Sequence, residues 1–579
     1  MGTTMQDDQE IISKAEGWLS DRFDAQTRAE VQRLISHDVD ELKEAFYMDL
    51  EFGTGGLRGL MGVGTNRVNV YTIGLASLGL ARYVRASFGD GPLKMAIAHD
   101  CRNNSALFAR RTAEVFASQG IEVYLFSELR PTPELSFAIR HLGCQGGVVV
   151  TASHNPKEYN GYKVYWDDGA QVIAPHDTGI IEQVRKATID ELSFEHEDNL
   201  IHLIDSLVDE PYLDAVMKQA LDREAIEANH DVKIVYTSLH GTGITLIPKA
   251  LARLGFSEVH CVPEQDIPDG NFPTVESPNP EERKALERGL KMCEELDADI
   301  LLGTDPDADR VGIAVKNTEG KFVILNGNQA GSLLVYYHLV KWHEQGRLTG
   351  KQFIAKTIVT TELIRRISGG FNVPTYDTLT GFKFIAGLIR DLEGKEEFIT
   401  GGEESYGYLI GDFVRDKDAV CSATLFCEMA AWAKDNGQSM YAILMHIYEQ
   451  FGHFQEDLVS ITKKGMSGKE EISKMMSDLR QKAPTHLAGS PVTLARDYQQ
   501  SEELNVVTGA RTVIDLPKSN VLQFETADGS IVTARPSGTE PKIKFYFSVR
   551  QPVGENFNHA ESAQILNERI VSLKNQWST

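Results

Sequence analysis

The sequence predicts an α/β protein. Three similar α/β domains with mixed, largely parallel sheets precede a smaller C-terminal α+β domain, all around a central cleft. Three observations carry this expectation. The chain has 579 residues, and at about 150 residues per domain that length suggests roughly four domains. Strand and helix patterns alternate in the same order three times over. The third strand of each round runs into a polar loop containing Gly or Pro, and ligands in such sheets sit beyond the carboxyl ends of strands.

In the first round, Lys94–His99, Ile121–Phe126 and Gly147–Val150 read as strands and Ala106–Ser118 and Glu134–His141 as helices, with the last strand entering TASHNP. In the second, strands at Val232–Thr237 and Glu258–Val262 alternate with helices at Ile244–Leu254 and Glu281–Leu296, and Asp299–Leu302 enters GTDPDADR. Asn279 and Pro280 have the form of an N-cap and a first-turn proline for the second helix. In the third, strands Gln352–Val359, Val373–Asp377 and Glu397–Thr400 alternate with helices Glu362–Ile367 and Phe382–Leu392, and the last strand enters GGEESYG. The C-terminal part changes character. Asn520–Ala527 and Ser530–Ala534 alternate around Asp528-Gly529, a hairpin turn signal. RPSGTEPK, a strand at Ile543–Val549 and an amphipathic helix at Ala560–Leu573 follow. Lys463–Pro484 reads as a polar stretch that links or precedes this part, and Lys14–Ala45 as an N-terminal helical extension. The expected domain boundaries are 1–207, 208–325, 326–455 and 456–579.

Fifty-eight basic residues against 83 acidic ones leave a net charge of −25, which repels nucleic-acid phosphates and anionic membranes. An anionic ligand is then held only where cations and backbone amides concentrate locally. Six cysteines without C-x-x-C or metal spacing read as free thiols of a reducing compartment. The N-terminus has no apolar signal core. Gln6 breaks the myristoylation pattern that Gly2 opens, and the apolar run Leu333–Val340 is too short to span a bilayer. The expectation is a cytoplasmic protein, a monomer or weak dimer, with no nucleic-acid or membrane partner.

Four loops carry the chemistry. In TASHNP, Ser153 sits at a strand exit beside His154, and Asn155-Pro156 prevents a helix from continuing. A serine so placed serves as a nucleophile or phosphate carrier, or forms a Ser turn with its own backbone. In GTDPDADR, Asp305, Asp307 and Asp309 repel one another unless a hard cation intervenes, and oxygen-only ligands point to Mg²⁺ or Ca²⁺. An EF-hand fails, since Arg310 and Lys316 stand where it needs Gly and Glu. GGEESYG offers Glu403, Glu404 and Ser405 for sugar hydroxyls, or is an acidic surface turn, with Arg415 and Lys417 close behind. RPSGTEPK places Arg535, Ser537, Gly538, Thr539 and Lys542 together, a local anion nest in an acidic chain or a well-bonded hairpin turn. GTGGLRG surrounds Arg58 with glycines that permit tight turns or the approach of a phosphate. It is neither a Walker A loop nor a dinucleotide fingerprint. His240-Gly-Thr-Gly and Thr380-Gly-Phe-Lys383 are further loops at strand exits or helix starts.

Together and in this order, these loops resemble the α-D-phosphohexomutase superfamily from roughly Phe52 to Val549. TASHNP is similar to its phosphoserine loop, DPDADR to its magnesium loop, GEESYG to its sugar-binding loop and RPSGTEPK to its distal phosphate loop. GTGGLRG, DTLTGFKF and SGTEPKIKFY look most like the longer branch, which holds phosphoglucomutases and the phosphopentomutase / glucose-1,6-bisphosphate synthase type. The resemblance implies four domains around a deep cleft. It also implies a phosphosugar mutase that moves a phosphoryl group between the 1- and 6-positions of a hexose phosphate, first of all glucose 1-phosphate to glucose 6-phosphate. Phosphomannomutase and phosphopentomutase / glucose-1,6-bisphosphate synthase activities are the alternatives on the same site.

The residue roles follow from the same resemblance. Ser153, as phosphoserine, and Asp305, Asp307 and Asp309 hold Mg²⁺, with glucose 1,6-bisphosphate as activator and intermediate. Arg58, His154 and Lys163 surround the reacting phosphate, and Lys417 matches a lysine of proton transfer or substrate binding. Arg310, Thr380, Glu403 and Ser405 contact the sugar. Arg535, Ser537, Gly538 and Thr539 hold the non-reacting phosphate, joined by Lys542 on charge alone. Two readings differ in class. A catalytically silent sugar-phosphate-binding scaffold has no chemical need for Ser153, three aspartates and Arg535 together, and an aspartyl-type phosphatase is poorly suited by Pro306 and Arg310.

Overall fold

The computed structural model describes every residue except 1, 54, 464, 538–541, 553–556 and 578–579. The chain forms two compact units, Met1–Ala314 with Gly407–Trp432, and Val315–Tyr406 with Ala433–Thr579.

The first unit begins with helices Gly2–Glu16, Ala25–His37 and Val39–Phe46, in agreement with the predicted extension. They close on an aromatic core in which Trp18 stacks on Phe23 at 4.5 Å and meets Phe46 and Tyr71 edge-on. Asp24 caps the second helix through Thr27 and also accepts the Tyr71 hydroxyl. The extension is thereby pinned to the helix Val70–Phe88, which flanks the first sheet.

That sheet contains β1 (Gly56–Leu60), β2 (Lys94–His99), β3 (Glu122–Leu125), β4 (Gly146–Val150), β5 (Tyr159–Trp166) and β6 (Ile201–Leu203), in the order β1-β5-β4-β2-β3-β6. The pairs among β2, β3, β4 and β6 are parallel, whereas β5 runs antiparallel to β4 and β1. Ile97, Val123, Val148 and Phe116 are fully buried beneath it. The next strands are β7 (Ile234–Thr237), β8 (Val259–Cys261), β9 (Ile300–Thr304) and β10 (Val311–Lys316), in the order β10-β9-β7-β8, with β7 parallel to both β8 and β9.

Next in the chain, in the second unit, come β11 (Phe322–Leu325), β12 (Gln352–Thr357), β13 (Thr375–Thr378) and β14 (Glu397–Gly402); β12 lies between β13 and β14, parallel to both. The chain then returns to the first unit through β15 (Tyr408–Ile410). The C-terminal part is antiparallel: β16 (His453–Thr462), β17 (His486–Leu487), β18 (Ser490–Asp497), β19 (Glu502–Asn505), β20 (Arg511–Val513), β21 (Leu522–Thr526), β22 (Ile531–Pro536) and β23 (Lys542–Gln551). Their order is β16-β23-β22-β21-β18-β19-β20, with β17 beside β18. Phe524, Phe545 and Phe547 pack with Leu566 and Ile570 of the last helix, His559–Trp577.

The α/β order agrees with the sequence reading, and three details differ. Lys463–Pro484, expected to link or precede the C-terminal part, contains the helix Gly465–Gln481, whose Ile472 and Met476 enter the C-terminal core. Asn279 does not cap a helix; its side chain turns the chain by accepting the Glu281 amide at 3.1 Å, and the helix starts at Arg283. The element expected at Ile244–Leu254 divides into a 3-10 turn, Thr242–Thr245, and a helix from Ile247. Pro248 stands in that helix's first turn, where a missing N–H costs nothing.

The glycines before Arg58 serve strand packing. Gly56 has φ 131°, and a Cβ there would lie 1.8 Å from the Tyr162 carbonyl oxygen on β5. Gly56→Ala is expected to destabilise the protein by at least about 2 kcal/mol, as strained and clashing substitutions do. The check is a lower melting temperature with folded secondary structure retained.

Candidate active site

β4 delivers Thr151–Pro156 at its carboxyl end. Ser153 is 3% exposed and holds φ 51° in the left-handed region. Its amide donates to Thr151 Oγ1 at 2.8 Å, and the Thr151 hydroxyl donates to buried Asp100 at 2.7 Å. Arg102, 3% exposed, clamps the loop by donating to the carbonyls of Ser153, Asn155, Pro156 and Tyr159. The backbone of Ser153 is thus fixed from two sides. Arg58, on β1 opposite Gly161, donates to Asn155 Oδ1 at 3.2 Å.

The loop after β9 meets this one. Ser153 Oγ donates to Asp305 Oδ2 at 2.7 Å and lies 3.2 Å from His154 Nδ1. Asp305, Asp307 and Asp309 are all buried and each offers an oxygen within 4.8 Å of the others. Asp305 Oδ1 accepts the amides of Asp309 and Arg310, a tight turn completed by Ala308 at φ 49°. Thr132, the first residue of the helix Thr132–Leu142, donates its amide to the Asp307 carbonyl at 2.9 Å and its hydroxyl to Asp307 Oδ2 at 3.0 Å. Gly241 and Thr242 buttress Pro306, and His240 rests on the Ile267 carbonyl and Thr274.

Two lysines hold the outer oxygens of the triad. Lys163 Nζ bridges Asp307 Oδ2 at 2.7 Å and Asp309 Oδ2 at 3.0 Å, and Lys417 Nζ lies 3.3 Å from Asp309 Oδ2. Burial opposes the charge on Lys163, but the two aspartates outweigh it and raise its pKa above the ordinary value. Burial likewise opposes ionisation of Asp309, yet Lys163, Lys417 and Arg310 pull it far below the carboxylate range. Asp305 is pushed well above that range by burial, then by Asp307 and Asp309. Burial, with Arg310 and Arg58 beside it, holds His154 neutral. Arg310 itself pairs with Glu281 at 2.7 Å.

These donors fit a hard divalent cation. Among the described residues, Asp307 Oδ1 and Asp309 Oδ1 are buried without a hydrogen-bond partner, although Arg310 Nε lies 3.8 Å from Asp309 Oδ1; that is costly for a carboxylate, while their Oδ2 atoms are engaged by Lys163. With Asp305 they form an oxygen-only set of the kind Mg²⁺ takes.

In the second unit, the loop after β14 places Glu403 Oε1 to accept the Gly381 amide at 2.9 Å, next to Thr380 at the start of the helix Phe382–Leu392. Ser405 is half-buried and Tyr406 holds φ 66°. Glu404 accepts from Thr357 and Thr360, each at 3.3 Å, and burial, then Glu403, raises its pKa to about 7. Arg535, on β22, is in register with Lys544 on β23 and donates to the Tyr546 hydroxyl at 3.5 Å. Lys544 and Arg535 both act electrostatically on Glu404, so the sugar-type loop and the arginine loop are neighbours. The Ser537 amide donates to the Lys542 carbonyl at 2.7 Å. Gly538 and Thr539 lie outside the described residues. A cavity of about 420 Å³ nearby is lined by Glu362, Arg365, Asp377 and Arg496, whose charges already pair with one another or with Glu503 and Glu525.

The family descriptions for phosphoglucomutase/phosphomannomutase match four stretches: alpha/beta/alpha domain I at residues 49–190, domain II at 210–320, domain III at 326–451 and the C-terminal domain at 490–554. The chain belongs to the phosphoglucomutase/phosphomannomutase family. A phosphoglucomutase of Staphylococcus epidermidis is 38% identical over 88% of this chain and 92% of its own, and one of Staphylococcus aureus is 38% identical over 92% and 94%. Two solved structures share the fold. The Paramecium phosphoprotein pp63/parafusin in its open form has a TM-score of 0.66 at 17% identity, covering 91% of this chain and 95% of its own. A family protein of Burkholderia thailandensis has 0.63 at 19%, covering 90% and 97%. With this membership, the protein is a phosphosugar mutase, an intramolecular phosphotransferase. Among the described residues no helix is long and apolar enough to cross a membrane.

The first unit thus gathers Arg58, Ser153, His154, Lys163, Asp305, Asp307, Asp309, Arg310 and Lys417, and the second carries Thr380, Glu403, Ser405, Arg535, Ser537 and Lys542. Sequence reasoning missed Arg102, Thr132, Asp416 and Lys544, which act through contacts remote in sequence; only Lys544, two residues beyond Lys542 on a strand, carried a legible signal. Mg²⁺ at a hundredfold its Kd is expected to stabilise the protein by about 2.7 kcal/mol. That gain should be absent from Asp307→Ala, as read by melting temperature with and without the ion.

Proposed function

We propose that the protein interconverts glucose 1-phosphate and glucose 6-phosphate through a phosphorylated Ser153. The observation that carries the reading is the Ser153 hydroxyl 2.7 Å from Asp305, inside a buried acidic triad that two lysines and two bare carboxylate oxygens leave ready for a cation. Asp305, Asp307, Asp309 and a phosphoserine oxygen would hold Mg²⁺, which supplies charge neutralisation on the transferring group. The bond between phosphorus and Ser153 Oγ breaks as one forms to the sugar's free hydroxyl oxygen, and the proton that hydroxyl gives up is balanced by protonation of Ser153 Oγ. The resulting glucose 1,6-bisphosphate turns over and returns its other phosphoryl group to Ser153.

Arg58, Lys163 and neutral His154 are assigned to the charge of the reacting phosphate, and Lys417 to proton transfer or substrate binding. Glu403, Ser405, Thr380 and Arg310 are assigned to the sugar. Arg535, Ser537, Gly538 and Thr539, with Lys542, are assigned to the non-reacting phosphate. The four-domain division at 1–207, 208–325, 326–455 and 456–579 belongs to the same reading; phosphomannomutase and phosphopentomutase / glucose-1,6-bisphosphate synthase activities are the alternatives on the same site.

Phosphorus NMR on a panel of glucose, mannose and ribose 1-phosphates, with Mg²⁺ and a trace of glucose 1,6-bisphosphate, tests this directly. Glucose 1-phosphate is expected to be converted fastest; a faster ribose or mannose reaction changes the substrate. Ser153→Ala should abolish turnover, and release of inorganic phosphate by that variant would mean a phosphatase. Arg535→Ala should weaken binding by about 1.5–3 kcal/mol, the range of a charge-assisted hydrogen bond, seen as a raised KM.

A further inference from the structure

Lys417 is held at both ends of its side chain. Its ammonium lies 3.1 Å from Asp416 Oδ1 and 3.3 Å from Asp309 Oδ2. Its stem crosses Gly407, where a Cβ would stand 2.1 Å from Lys417 Cδ. Asp416 is itself fixed: it is 4% exposed, its Oδ1 also accepts the Lys417 amide at 2.8 Å, and its Oδ2 accepts the Tyr165 hydroxyl at 2.6 Å. Tyr165 is fully buried on β5, two residues from Lys163 and so on the same face of the strand. One strand therefore serves both lysines of the triad, touching Asp307 and Asp309 through Lys163 and steering Lys417 through Asp416.

We propose that Tyr165 and Asp416 are positioning residues of the mutase, a buried bracket that aims the Lys417 ammonium at the phosphoryl-transfer site. The phenol is suited to this work. Burial, then Asp416, lifts its pKa well above the ordinary range, so it remains a donor. A carboxylate that accepts from a phenol on one oxygen and from both nitrogens of Lys417 on the other has little freedom to rotate. Gly407 leaves the lysine stem one path along the backbone. The inference rests on Lys417 acting at the site, and the test separates the two.

The test is steady-state conversion of glucose 1-phosphate with Mg²⁺ and glucose 1,6-bisphosphate, together with melting temperatures, for Tyr165→Phe, Asp416→Asn, Lys417→Met and both double variants with Lys417→Met. A misaimed group loses transition-state contact, so Tyr165→Phe should lower kcat about tenfold and Asp416→Asn about a hundredfold, with KM changed less than about twofold. In the Lys417→Met background neither change should lower kcat further, because each acts through that ammonium. A purely structural role would multiply the losses in that background, and this result overturns the proposal. So does wild-type kcat in Tyr165→Phe and Asp416→Asn while Lys417→Met is inactive, which leaves the role of Lys417 standing. Full activity in Lys417→Met removes the role of Lys417 itself. Tyr165→Phe, which deletes one oxygen, keeps the test open if Asp416→Asn fails to fold.

Discussion

Three carboxylates buried in one short loop are the constraint around which the first unit is arranged. Two unit charges 4 Å apart interact by about 4 kcal/mol even at an effective dielectric of 20, so Asp305, Asp307 and Asp309 could not persist there unassisted. Each is answered from a different part of the chain. Asp305 takes the Ser153 hydroxyl and two loop amides, Asp307 takes Thr132 and Lys163, and Asp309 takes Lys163 and Lys417. The partners come from a strand exit, a helix start, a strand inside the first sheet and a segment that returns after a long excursion. What stabilises the loop also gathers Ser153, Lys163 and Lys417 around it, and the two oxygens without a hydrogen bond mark where negative charge is least answered.

The second unit handles charge differently. Its candidate recognition groups, on the proposed reading, are paired with local partners: Glu403 with the Gly381 amide, Glu404 with two threonine hydroxyls, and Arg535 with Tyr546. These are neutral or singly charged contacts that a sugar hydroxyl or a phosphate oxygen can replace one for one. In a chain of net charge −25, Arg535 and Lys544 side by side on adjacent strands are a local reversal, and Glu404 moderates it.

Much of this was legible because it is local. The i, i+2, i+4 aspartates, the serine before His-Asn-Pro and the arginine loop each show their chemistry within eight residues, and strand–helix alternation placed them at strand ends. The rest depends on contacts that no spacing announces. Arg102 clamps a loop fifty residues away, Thr132 reaches Asp307 across the unit, and Asp416 looks like one more acid in Arg-Asp-Lys-Asp until Tyr165 is seen beside it. The helix Gly465–Gln481 shows in the sequence only as a polar stretch that links or precedes the C-terminal part, yet Ile472 and Met476 dock it in the core. The glycines before Arg58 invited a phosphate-loop reading, and Gly56 proves to be where β1 approaches β5.

The first unit is discontinuous: the chain leaves it at Ala314 and comes back at Gly407. During synthesis, which builds and folds proteins from the N-terminus, Asp309 emerges long before Lys417. The nascent unit must wait with that carboxylate held by Lys163, and with the Tyr165 hydroxyl lacking Asp416, until the returning segment is made. A ribosome that stalls within the excursion leaves an unfinished charge cluster rather than a small working enzyme. Competence arrives late and all at once, and truncated chains present the protein-quality machinery with a buried acid loop that is still short of its last cation.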